Sequence, residues 1–117
     1  MKRGEIWTVA GGGDYTGKPR PAVIIQDDHF IDTDSVTICA GSCDSTDAPL
    51  FRIAVRADDR NGLDADSRIM ADKITTVRRS RLAARLGHLD GEEMVKLERA
   101  MVLFLGLAAP RPRMRRR

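Results

Sequence analysis

Two side chains in this sequence have both the chemistry and the placement to act together, Arg20 and Ser42. Arg20 stands at the join in GKPRPAVIIQ, residues 17–26, where a polar, proline-stiffened loop gives way to an apolar run. A residue before proline is pushed out of the α region, so Arg20 is expected to be extended. Proline has no N–H for a ladder, which confines Pro21 to a strand start or an edge. Ala22, Val23, Ile24 and Ile25 then read as a core strand. The guanidinium is therefore expected at the lip of a rigid element, which suits an arginine directed at phosphate. Ser42 stands where the apolar run VTICAG, residues 36–41, meets a polar loop. If these two strands are antiparallel, the start of one lies beside the end of the other. A fixed cation and a hydroxyl at one sheet edge suit a phosphodiester, whose transition state gathers negative charge on its non-bridging oxygens. Each residue also has a plainer reading: a solvated charge beside a strand, and an ordinary turn serine.

Other chemistries find little support. There is no histidine, serine and acid in a familiar motif, no metal-ligand cluster and no dinucleotide-binding glycine pattern. The loop Gly11–Gly17 continues into Lys18, but GGGDYTGK lacks the spacing of a phosphate loop and no helix follows. It reads as a flap between two strands. Cys39 and Cys43 form a C-x3-C pair with no second pair, and His29 and His88 stand apart from them. Buried reduced thiols are the expectation, with no metal and no cofactor.

The elements that must position the two residues follow from hydrophobic pattern. Residues 4–10 read as a first strand whose inward face is undecided, because both alternating sets hold apolar side chains. The second strand is expected over 21–26, and a turn-rich stretch with one short helical turn over 27–34. The third strand covers 36–41 and the fourth 50–56. In the fourth, Phe51, Ile53 and Val55 face one way and Arg52 and Arg56 the other. An Asn-Gly turn falls at 61–62. Residues 67–71 and 74–77 read as two strands separated by Asp72-Lys73. Residues 78–84 read as a short helix or turn, and 85–89 as its continuation or a final strand. The last element is a helix with Asp90 as N-cap, Glu93 completing a capping box and Gly106 as C′. Its apolar stripe is Met94, Leu97, Met101, Phe104 and Leu105, read as core packing. The fold class expected is mostly β with a C-terminal α-helix, as a small, strongly bent sheet or open barrel.

At 117 residues the chain is sized for one domain. No run approaches the roughly 18 apolar residues of a membrane span. The opening MKRGEIWTVAGGG has no long apolar stretch, so a cytoplasmic location is expected. Net charge is +3, but the last eight residues, PRPRMRRR, hold five arginines and no acid. Without them, 15 basic residues face 17 acidic ones, so the folded part is slightly acidic. The organisation expected is a domain over 1–109 and a disordered arginine-rich tail over 110–117.

A series of segments, in order, resembles the MazF/PemK family of toxin endoribonucleases from toxin–antitoxin modules. They are RGEIWTV at 3–9, GKPRPAVIIQ at 17–26, VTICAGS at 36–42, DAPLFRIAV at 47–55, DRNGL at 59–63, SRIMADKITTV at 67–77, LGHLDGEEM at 86–94 and LFLGL at 103–107. The resemblance implies an SH3-like or CcdB-like (PemK-type) β-barrel, a homodimer and a partly disordered antitoxin partner. It implies metal-independent cleavage of single-stranded RNA by 2′-hydroxyl attack, leaving 2′,3′-cyclic phosphate and 5′-hydroxyl ends. The family's catalytic arginine falls on Arg20 and its second catalytic residue on Ser42. Two departures stand out: the family's usual proline is Gly41, and its usual threonine is Ser42. They leave Cys43 and Ser45 as other candidates for the second role. Tyr15, Thr16 and Lys18 are candidates for lining the RNA groove, with Tyr15 offering a stacking face. The competing expectation is a related barrel that inhibits a protein target, such as DNA gyrase, by binding alone. A degenerate toxin kept for dimerisation or antitoxin binding is a third.

Overall fold

The unbroken apolar runs in the middle of the chain belong to strands buried on both faces. A computed structural model describes residues 1–10, 19–43 and 50–107. Its strands are β1 (Glu5–Val9), β2 (Arg20–Ile24), β3 (Ser35–Ser42), β4 (Arg52–Val55), β5 (Ser67–Arg78) and β6 (Leu82–His88), followed by the helix α1 (Gly91–Leu105). They form one six-stranded sheet in the order β4-β5-β3-β2-β1-β6. Every pairing in it is antiparallel.

Side chains alternating along β2 and β3 feed two separate cores. Val23 and Cys39 point toward α1 and pack with Ile53, Val55, Ile69, Leu97 and Ala100. Ala22, Ile24, Val36 and Ile38 point the other way and pack with Val9, Val77 and Leu82. β1 serves both cores, since Ile6 lies in the first and Val9 in the second. This resolves the ambiguity of its inward face.

α1 forms as its ends predict. Asp90 accepts from the Glu93 backbone N at 2.7 Å, and the Glu93 side chain accepts from the Asp90 backbone N at 3.0 Å. Gly106 closes the other end in the left-handed region, at φ 72°, where only glycine sits without strain. Leu97 is buried, and Met94 and Met101 pack on the first core. Phe104 and Leu105, read as core, are instead about half exposed. Phe104 rests on Phe51, with ring centroids 5.6 Å apart. The apolar stripe therefore continues to the end of the helix, where it is only partly covered.

The two strands expected at 67–71 and 74–77 are one strand. Between the pairs Cys39↔Ile74 and Gly41↔Ile69 the register shifts, and the extra β5 residues bulge. Asp72-Lys73 interrupts the apolar pattern because it occupies that bulge, not a turn. Residues 79–81 make a single 3-10 turn, and 82–88 form the closing strand β6. The short helical turn expected before β3 is found at Asp28–Phe30.

The Asn-Gly turn is built into the fold. Asn61 is fully buried. Its Oδ1 accepts from the backbone N of Asp58 and Leu63, both at 3.0 Å, and its Nδ2 donates to the Arg56 carbonyl at 2.7 Å. A Cβ added at Gly87 would lie 2.1 Å from the Arg60 carbonyl oxygen. The turn and β6 therefore meet backbone to backbone.

Candidate active site

Arg20 is the first residue of β2 and Ser42 the last of β3. The two strands pair as Ala22↔Ala40, Val23↔Cys39 and Ile24↔Ile38. Carried two residues further, that register sets Pro21 opposite Gly41 and Arg20 opposite Ser42. The contact at Gly41 agrees, since a Cβ there would lie 3.4 Å from both Cγ and O of Pro21. Gly41 thus packs closely against Pro21 and Ile69 within the sheet. Ser42 ends the strand itself and does not begin the loop.

Both residues line one open cavity of about 520 Å³. Its walls are Ala40 and Gly41 from β3, Arg52 from β4, and Met70, Asp72, Lys73, Ile74 and Thr75 from β5. Arg20 and Lys73 are exposed, while Ser42, Arg52 and Asp72 are half-buried. Arg52 grips Asp72 at two points, Nε to Oδ1 at 3.1 Å and Nη2 to Oδ2 at 2.8 Å. The Arg52 hydrogen bond holds the Asp72 carboxyl below the usual aspartate range. Asp72 is the only carboxylate on the cavity wall among the described residues. Its charge is met by Arg52, so Arg20 and Lys73 leave the cavity net positive.

Pattern reading missed the far wall. The alternation in β4 sets Arg52 on the outward face of its strand, but nothing local joins it to Asp72, Lys73 or Thr75. The polar pair breaking an apolar run was the available signal. Tyr15, Thr16, Lys18 and Ser45 lie outside the described residues. Cys43 is exposed, contrary to the expectation of two buried thiols, because β3 ends one residue before it. Cys39 is buried, and burial, followed by the Asp72 charge, pushes its thiol up to about 12. Among the described residues no three His, Cys, Asp or Glu side chains come together to hold a metal ion.

The fold is a six-stranded antiparallel sheet with one C-terminal helix, and it sets an arginine and a serine at neighbouring strand ends in one cavity. The chain belongs to the family of PemK-like, MazF-like toxins of type II toxin-antitoxin systems, which it matches over residues 2–105. It is 50% identical over 108 residues to the probable endoribonuclease MazF of Mycolicibacterium smegmatis, covering 92% of this chain and 99% of that protein. It is 29% identical to the endoribonuclease EndoA of Bacillus subtilis, covering 92% and 96%. Among solved structures it resembles a mycobacterial endoribonuclease in complex with its cognate antitoxin, with a TM-score of 0.79 at 23% identity over 94% of this chain and 99% of that one. It also resembles a MazE-MazF complex from Deinococcus radiodurans, with a TM-score of 0.72 at 18% identity over 91% and 95%. No helix among the described residues is long and apolar enough to cross a membrane.

Proposed function

We propose that this chain is the toxin of a toxin–antitoxin module and acts as an endoribonuclease on single-stranded RNA, with Arg20 and Ser42 as its catalytic pair. The observation that carries the reading is their shared cavity, with the two residues opposite each other at the ends of paired strands. The family match and the relatives named as endoribonucleases favour it over a barrel that only blocks a protein target.

In the reaction, a ribose 2′-oxygen attacks the adjacent phosphorus. The bond to the 5′-oxygen breaks, leaving a 2′,3′-cyclic phosphate and a 5′-hydroxyl. The 2′-hydroxyl gives up one proton and the departing 5′-oxygen gains one. Arg20 neutralises the five-coordinate phosphate, whose charge exceeds that of the ground state. It is a poor base, because a guanidinium keeps its proton to a pH above ~12. Asp72 is also a poor base while Arg52 holds its oxygens. Ser42 donates a hydrogen bond to a phosphoryl oxygen. The guanidinium supplies the positive charge that the five-coordinate phosphate requires. Tyr15, Thr16 and Lys18 complete the groove in this reading, and the arginines of 110–117 form a tail beyond the domain.

The partners proposed are RNA, a second copy of the chain and a partly disordered antitoxin, all in the cytoplasm. Exposed Leu50, Leu103, Leu105 and Leu107, beside half-exposed Phe104, leave apolar surface for association. Sedimentation over a concentration series reads the homodimer directly; a monomer throughout rejects it. The activity itself is tested by incubating purified protein with single-stranded RNA in EDTA. Products ending in cyclic phosphate support the ribonuclease. Intact RNA together with inhibited DNA supercoiling supports the binder instead.

A further inference from the structure

Resting on that reading, the geometry points to a second RNA-phosphate subsite formed by Arg56 and Arg68, on the same face of the sheet as Arg20 and Ser42. Paired residues of an antiparallel ladder share a face, and successive residues alternate. Ser42 pairs with Arg68, and Arg68 pairs with Ala54. Arg20, Ser42, Arg68 and Ala54 therefore form one row across β2, β3, β5 and β4. Burial agrees: Ile53, Val55 and Ile69 point to the core, while Ala54 is exposed and Arg68 half-buried. Arg56 follows Ala54 on that face, two residues along.

Arg56 and Arg68 line a cavity of about 280 Å³ with Cys43, Ala54, Val55, Asp66 and Ser67. It adjoins the Arg20 cavity across the Ser42–Arg68 pair. Neither arginine forms an ion pair with a carboxylate among the described residues. Both are held at the backbone: Arg68 by ladders on either side, Arg56 by the buried Asn61 side chain on its carbonyl at 2.7 Å. Asp66 is the local counter-charge, but its Oδ1 is engaged by the Ala57 backbone N at 2.8 Å. Two cations thus face one carboxylate.

Two strand spacings separate Arg20 from Arg68, about 10 Å. An extended single strand crosses that distance within a few nucleotides. With the scissile phosphate at Arg20 and Ser42, a flanking phosphate reaches Arg68 and Arg56. The subsite fixes the direction in which RNA crosses the sheet, and strands too short to reach it bind less tightly.

The test measures binding of a 2′-O-methyl RNA, which lacks the nucleophile and stays intact, across a salt series. It is paired with cleavage kinetics on ordinary RNA of the same sequence. The proteins are wild type, the double variant Arg56→Gln/Arg68→Gln and the double variant Arg56→Lys/Arg68→Lys. The glutamine variant is expected to bind about tenfold more weakly, with a salt slope shallower by about 0.7 per lost phosphate contact. Its KM rises by more than its kcat falls, and the lysine variant recovers the slope. Equal slope and affinity in wild type and glutamine variant, while wild type still cleaves, overturn the subsite alone. A wild type that neither binds nor cleaves RNA overturns the ribonuclease reading and the subsite together.

Discussion

Asp72 is gripped by Arg52 through both carboxylate oxygens, at 3.1 and 2.8 Å, on the cavity wall facing Arg20 and Ser42. The pair joins β4 to the bulge of β5, so it fixes the shape of that wall as well as its charge. Its pH behaviour follows from the depressed carboxyl. The stability it contributes is complete above the unfolded aspartate value and is lost as pH falls through the lower folded one. Asp72→Asn is expected to lose about 1–2 kcal/mol near neutral pH, because a two-point, charge-assisted pair in a half-buried position is reduced to a neutral one. Urea denaturation should show the gap to wild type shrinking below about pH 4. A gap that stays constant into acid contradicts the assignment.

The Asp90–Glu93 capping box makes a prediction remote from the chemistry. Asp90→Ala removes the bond from the Glu93 N and the contact of Arg60 Nη1 at 3.2 Å. A loss of about 1 kcal/mol is expected in thermal or urea unfolding. An unchanged midpoint would show that the helix start is held by packing alone.

Gly87 gives the steepest effect expected on folding. Its missing side chain leaves room for backbone, with the Arg60 carbonyl oxygen 2.1 Å from where a Cβ would stand. Backbone cannot yield as a flexible side chain does, so Gly87→Ala should cost about 3 kcal/mol or more, or prevent folding. Gly91 has nothing within 4 Å of its Cβ position. Gly91→Ala is therefore the matched control, and equal stability of the two variants would refute the close approach.

The two cysteines should separate cleanly in a thiol assay. Cys39 is buried, with its thiol pushed up to about 12, whereas Cys43 is exposed. At mildly alkaline pH an alkylating reagent should modify Cys43 in the folded protein and reach Cys39 only after denaturation. Peptide mass spectrometry reads the two sites, and equal modification before unfolding would contradict the core.

Legibility in the sequence tracked how local the signal was. Arg20-Pro21 announces a strand start by sterics confined to two residues, and the capping box of α1 spans four. The pairing of Arg20 with Ser42 needed only the assumption that neighbouring strands run antiparallel. The wall made by Arg52, Asp72 and Lys73 depends on a bulge in the β3–β5 ladder, which local pattern does not encode. A polar pair inside an apolar run marks a break between two strands and a bulge within one equally well, and here it is the bulge. Likewise the periodicity of Phe104 and Leu105 reports a helix face but not how much of that face is covered. Arg56 and Arg68, twelve positions apart, meet only through register.

The most direct measurement compares purified wild type with Arg20→Ala on one single-stranded RNA in EDTA, following the appearance of cyclic-phosphate ends. The variant should fold normally, since Arg20 is exposed at a strand end, and its rate should drop by about 10²-fold or more. Equal rates for the two proteins would remove Arg20, and with it the shared cavity, from the account.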